Sequence, residues 1–237
     1  MIPLRDNAAP RRLTPANTIL IAANLAAFIY ELSLGPRVVD FVGRFAMVPA
    51  EVTNSSSMHS LTLHDSLAIS IRPAMTILTS MFLHGGVWHV VGNMLYLFIF
   101  GAAVEYRMGA SRYAAFYFAS GIAAALATVL IAPESRVPVI GASGAIAGVL
   151  GAYFIFYPRG RITTILPIFI FIQVVEIPAV IYLLLWFAIQ LYAGIAAGQQ
   201  GASMGGVAWW AHVGGFLFGM ALAPILVQRR PSKRKSR

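Results

Sequence analysis

The 237-residue sequence predicts an all-α, polytopic membrane protein, and three observations predict it. Hydrophobic residues make up 59% of the chain and charged residues 11%, with a mean hydropathy of +0.76, far outside the range of a soluble domain. The apolar residues are gathered into runs long enough to cross a bilayer as helices. The 17 lysines and arginines lie between those runs, mostly on alternate connections.

A helix needs about 20 apolar residues to cross a hydrocarbon core about 30 Å thick. By that measure the chain holds six spans, over residues 17–35, 87–106, 113–132, 141–157, 178–196 and 207–227. Arg5, Arg11 and Arg12 precede the first, whose apolar stretch is long for the core of a signal peptide, so it reads as an uncleaved anchor. Residues 36–86 form a connection too long for a simple turn, with expected structure of its own. Its end, Pro73 to Leu83, is apolar enough to lie in the outer interface or dip into it. After the fourth span, Arg161 to Val175 is again apolar but too long to join the fifth, so it is assigned to an inner interfacial or re-entrant segment. Pro178 suits the first turn of the fifth helix.

Six spans put both termini on one side. Thirteen of the 17 cations then share that side, six of them in the tail from Arg229 to Arg237, leaving Arg37, Arg44, Arg72 and Arg136 opposite. The positive-inside rule makes the termini cytoplasmic. The expected organisation is a cytoplasmic segment over 1–16, a six-helix membrane domain over 17–228 with the long outer connection 36–86, and a basic cytoplasmic tail over 229–237. The formal charge of +9 follows from this topology and from contact with anionic lipids, and nucleic acid is not an expected partner. The absence of cysteine excludes thiolate catalysis and cysteine-ligated metal sites.

With the topology fixed, the second, fourth and sixth spans all begin at the outer face. At 1.5 Å per residue, Ser143 lies about 3 Å below the start of its span, His212 about 7 Å, and His89 and Asn93 about 3 and 9 Å. Four polar side chains therefore share the outer third of the membrane. Small residues run down two of these helices: Gly141, Gly144, Gly148 and Gly151 on the fourth, and Ala208, Ala211, Gly215 and Gly219 on the sixth. Such stripes let helices approach backbone to backbone, and packing alone is a sufficient reason for either one. Here one stripe carries a serine at its outer end and the other a histidine at matching depth.

That pairing permits nucleophilic chemistry. A neutral imidazole takes the serine proton, the oxygen attacks a carbonyl, and the imidazolium protonates the leaving amine. No carboxylate lies at this depth, so a dyad of Ser143 and His212 is expected. Glu105, at the inner end of the second span beside Arg107, suits an ion pair or a loop anchor. His89 and Asn93 are one helical turn apart and project from one face. With the backbone N–H of Ser143 they would make a three-donor oxyanion hole, although an interhelical hydrogen bond is an alternative use for Asn93. His84 reads as an interface or loop-supporting residue.

At these residues the chain resembles the rhomboid family of intramembrane serine proteases. The resemblance is carried by Gly141-Ala142-Ser143-Gly144, by Ala211-His212-Val213-Gly214-Gly215-Phe216-Leu217-Phe218-Gly219, by His84 with His89 and Asn93, and by Glu105-Tyr106-Arg107 followed by Gly109. It implies a six-helix rhomboid-like bundle, Ser143 as nucleophile, His212 as general base, and Asn93 and His89 as oxyanion donors. It further implies transmembrane protein substrates, no cofactor and no metal, and the expected location is a bacterial inner membrane. Two positions depart from the family pattern. Ile71-Arg72 stands where many members have Trp-Arg, and Ala147 where some carry a tyrosine that stacks on the histidine. Trp209, Trp210 and Tyr153 are the aromatic candidates for holding His212 instead. Trp186 and Gln190 on the fifth span, and the glycine-rich stretch from Ala197 to Gly206, are candidate gates, although that stretch equally fits an ordinary loop.

Other classes fit less well. A transporter would place polar groups near the midplane, an intramembrane metalloprotease would carry His-Glu-x-x-His, and the spacing of His84, His89 and His212 is not that of zinc ligands. A catalytically inactive relative that binds membrane clients would have no need of Ser143, His212 and Asn93 together.

Overall fold

The computed structural model describes residues 1–8, 14–54, 75–168, 171–199 and 208–228. Strand β1 (Ile2–Asp6) precedes helix α1 (Pro15–Ser33), which is followed by the short helices α2 (Val38–Phe45) and α3 (Pro49–Asn54). Then come α4 (Val87–Met108), α5 (Ala110–Ile131) and α6 (Ser143–Phe156). A hairpin of β2 (Arg161–Ile168) and β3 (Phe171–Pro178) leads into α7 (Ala179–Gln199) and α8 (Trp209–Leu226). Ile71-Arg72, Arg11 and Arg12, the glycine-rich stretch over 200–207 and the tail from Arg229 lie outside the described residues.

Among the described residues five helices, α1, α4, α5, α7 and α8, are long and apolar enough to cross a membrane. The fourth of the six predicted spans is shorter than expected. Helix α6 has 14 residues, about 21 Å at 1.5 Å per residue. Its start is displaced by the non-helical backbone of Gly141, and it stops two residues before Pro158.

The all-α expectation needs correction at one end of the bundle, where a three-stranded antiparallel sheet runs in the order β1-β2-β3. It uses part of the N-terminal segment and the stretch assigned above to an interfacial or re-entrant piece. Pro167 and Pro178 deny that stretch a continuous helix, and its isoleucines, threonines and valines favour extended backbone. Ile2 pairs with Ile165 and Asp6 with Ile162, while β2 and β3 pair from Arg161–Pro178 to Ile168–Phe171. Ile162 and Thr164 are fully buried, and the Tyr153 hydroxyl of α6 donates to Asp6 at 3.1 Å, joining the sheet to the bundle.

Buried polar side chains hold α1 against α4. Pro15 occupies the first turn of α1, where its missing N–H is no loss. The Glu105 carboxylate accepts the next two N–H groups, from Ala16 at 3.2 Å and Asn17 at 2.7 Å, at the end of the helix that favours negative charge. Glu105 therefore anchors the start of a helix, in place of the expected ion pair or loop anchor, and Arg107 lies over the rings of Phe156 and Tyr157, at 5.0 and 5.9 Å. Midway along α4, Leu97–Gly101 forms a π-helical turn. The Leu97 carbonyl there accepts from the Asn17 amide at 3.0 Å, and the Tyr113 hydroxyl donates to the same amide's oxygen at 2.7 Å. A Cβ on Gly101 would collide with both Asn17 and Tyr113.

Helices α6 and α8 touch through their glycines. A Cβ on Gly215 would run into the Gly144 carbonyl, one on Gly219 into the backbone of Gly148, and one on Gly151 into the Phe216 carbonyl. The obstacles are main-chain atoms, so neither helix has a side chain that could move aside. This backbone contact sets the separation of Ser143 and His212.

Candidate active site

Ser143 is the first residue of α6. The chain reaches it through a tethered connection: Met47 and Val139 form a two-way backbone bridge, and the Gly141 N–H donates to the Ser80 carbonyl at 2.8 Å. Gly141 has φ of 117°, a conformation open chiefly to glycine. A Cβ there would also lie 2.8 Å from the His89 ring and 3.6 Å from Asn93 Nδ2. Both backbone geometry and space therefore require glycine beside Ser143.

His212 lies in the first turn of α8. Its Nε2 is 2.8 Å from Ser143 Oγ, and its Nδ1 is 2.8 Å from Gln190 Oε1 on α7. The Trp186 ring lies against the imidazole at 5.9 Å and 39°, and Trp209 meets it edge-on at 6.3 Å and 89°. Of the three aromatic candidates only Trp209 makes this contact. Trp210 packs on Gly194 of α7, and Tyr153, toward the other end of α6, is bound to Asp6. Gln190 and Trp186, the candidate gate residues of the fifth span, thus lie against His212. The available signal for their position was their spacing, four residues apart on one face of an apolar helix.

His89 and Asn93 approach from α4. Asn93 is buried, and its Nδ2 has no hydrogen-bond partner among the described residues; leaving such a donor unpaired is costly unless something occupies the space before it. The Gly85 N–H donates to His89 Nδ1 at 3.3 Å, which leaves the ring proton on Nε2, the side that faces Gly141. His84 stands behind His89, its ring edge-on at 5.1 Å. Its backbone N–H donates to the buried Glu31 carboxylate at 3.2 and 3.3 Å, and its Nδ1 donates to the Phe82 carbonyl at 3.2 Å. Burial and the neighbouring His89 push the His84 pKa down to about 4, so it is a neutral, loop-supporting residue. Glu31, which ties this turn to α1, escaped the sequence reading.

Ser143, His212, His89 and Asn93 all line one cavity of about 350 Å³, with Trp88, Tyr96, Trp186 and Gln190 among its other walls. The Tyr96 and Tyr182 hydroxyls share a 2.7 Å hydrogen bond that links α4 to α7. Among the described residues no three histidine or carboxylate side chains gather as metal ligands. A hydroxyl hydrogen-bonded to an imidazole, with unpaired donors nearby, can support acyl transfer.

Apolar helices of membrane-crossing length define an integral membrane protein, and the cavity among them gathers a few polar side chains on a mostly apolar wall. The Rhomboid domain profile matches residues 72–229, more than half of the sequence, and the chain belongs to the rhomboid family. It is 30% identical over 227 residues to RHOMBOID-like protein 2 of Arabidopsis thaliana, covering 89% of this chain and 66% of the relative. RHOMBOID-like protein 4 of the same plant is 28% identical over 222 residues, 88% of this chain and 52% of the relative. Rhomboid protease GluP of Bacillus subtilis (strain 168) is 35% identical over 100 residues, 42% of this chain and 19% of the relative. The chain thus spans at most about two thirds of these relatives' lengths. The similar proteins come from plant, yeast and bacterium, and two are named as mitochondrial, so they single out no one membrane.

Proposed function

We propose that this protein is an intramembrane serine protease that cleaves single-pass transmembrane proteins near the outer face of the membrane. The observation that carries the proposal is the 2.8 Å hydrogen bond from Ser143 Oγ to His212 Nε2 at the wall of the cavity. Membership of a family whose relatives include named rhomboid proteases supports it.

His212 Nε2 takes the Ser143 proton as Oγ attacks the scissile carbonyl carbon. The oxyanion is met by Asn93 Nδ2, His89 Nε2–H and the Ser143 N–H, which has no intrahelical acceptor at a helix start. The C–N bond then breaks, and the imidazolium gives its proton to the leaving amine. Water then attacks the acyl carbon with His212 again as base, the ester C–Oγ bond breaks to release the carboxyl product, and the imidazolium returns its proton to Ser143 Oγ.

Topology belongs to the same proposal. The distribution of cations favours cytoplasmic termini, and six spans then point the serine end of α6 outward. A helix of about 21 Å in a core of about 30 Å leaves that end recessed below the surface. A substrate helix satisfies its own backbone hydrogen bonds and must locally unwind to offer a carbonyl, which favours cleavage at small or helix-weakening residues.

Covalent trapping tests this reading. A fluorophosphonate is expected to add to Ser143, located by peptide mass spectrometry, and to block cleavage of a fluorogenic transmembrane substrate in liposomes. A folded protein that neither labels nor cleaves would instead be a client-binding member of the family. For the oxyanion donors, Asn93→Ala is expected to lower kcat by about 10²–10³-fold, with KM nearly unchanged because the lost bond forms only in the transition state. An unchanged kcat would return Asn93 to a packing role.

A further inference from the structure

Helix α7 reaches the imidazole with a hydrogen-bond acceptor, the Gln190 side chain, and among the described residues no charged group is hydrogen-bonded to His212. We propose that Gln190 is the positioning residue for His212, fixing its tautomer through an amide oxygen where a soluble serine hydrolase commonly uses a carboxylate. The inference rests on the proteolytic reading above and extends it from two residues to three.

The argument begins with proton placement. A neutral imidazole carries one ring proton, and it can accept from Ser143 only if Nε2 is bare. Gln190 Oε1 lies 2.8 Å from Nδ1. A carbonyl oxygen can only accept, so this bond requires the proton on Nδ1 and leaves the Nε2 lone pair facing Ser143 Oγ at 2.8 Å. Gln190 is itself buried, 7% exposed, and Trp186 one turn earlier covers the imidazole face. Tyr182, a further turn back, is tied to Tyr96. Three residues at four-residue intervals thus set α7 against the cavity, and the last of them holds the base.

An amide differs from a carboxylate in one consequential way. It selects the tautomer of the neutral ring but adds no negative charge to stabilise the imidazolium, so His212 remains a weaker base than one paired with an acid. The other titratable side chains that line this cavity beside His212 are Ser143 and His89, with Tyr96 farther along the wall. None of these is a carboxylate.

The test uses the full-length protein with Gln190→Leu, which keeps bulk and removes the acceptor, and Gln190→Glu, which restores an acceptor and adds charge. For Leu, kcat is expected to fall by roughly 10- to 100-fold, part of the about 10²–10⁴ that a general base supplies, with KM changed less than about threefold. For Glu, kcat should recover, and the acid limb of the kcat/KM profile should move to higher pH as the carboxylate favours the imidazolium. Histidine 15N spectra provide a readout independent of turnover. Wild type should show the Nδ1–H form of His212, and the Leu variant a mixture of tautomers. Wild-type kcat and an unmixed Nδ1–H signal in Gln190→Leu would overturn the inference while leaving the protease reading intact. Cleavage by Ser143→Ala would overturn the protease reading itself.

Discussion

Ser143→Ala, His212→Ala and the double variant are each expected to lose about 10⁴-fold or more in kcat, and by nearly the same factor, because members of a nucleophile–base pair act as one unit. The physical reason is the single shared proton. Without His212 the serine keeps its hydrogen, and without Ser143 the imidazole has nothing to activate. Initial cleavage rates of a transmembrane reporter in liposomes would measure it, with thermal unfolding in detergent as a check on folding. Both side chains are only partly buried at the cavity wall, so stability should change little. Losses that are small, or that multiply in the double variant, would show that the two residues act separately and would defeat the proposed dyad.

The largest effect on stability is expected from Gly219→Val. A Cβ at Gly219 meets the carbonyl, carbon and Cα of Gly148, and main-chain atoms in the middle of a helix cannot be re-packed as a side chain can. Helices α6 and α8 must separate, at a cost of roughly 3 kcal/mol or more. The separation should also pull His212 from Ser143, so fluorophosphonate labelling should disappear even where some protein remains folded. Gly43, exposed on α2 with nothing within 4 Å of an added Cβ, is the control, and Gly43→Ala should unfold at or slightly above the wild-type midpoint because alanine favours the helix. Equal stability of Gly219→Val and wild type would mean that the backbone contact of α6 with α8 is not what fixes their spacing.

The membrane-length helices were legible because apolar run length reports directly on what a bilayer requires. Ser143, His212, His89 and Asn93 were legible because each is a polar group in an apolar run, beside small residues that only a close approach would need. The hairpin over Arg161–Pro178 was not, because a short apolar run fits a strand or a buried helix equally well; its β-branched residues and Pro167 were the discriminating sign. The roles of Asn17, Glu31 and Gln190 were hidden for another reason. They act on groups 80, 53 and 22 residues away, respectively, and no periodicity within one helix reveals a partner chosen by packing.

The π-helical turn at Leu97–Gly101 acts as a phase shift. One residue of a helix corresponds to about 100° of rotation, so an inserted residue lets the two halves of α4 face different neighbours. The half that carries His89, Asn93 and Tyr96 is aimed at the cavity, while the half that carries Glu105 is aimed at the start of α1. A regular helix would have to compromise between these directions. With the offset built in, the groups that bind the first helix and the groups that face the serine can each hold their own angle about a common axis.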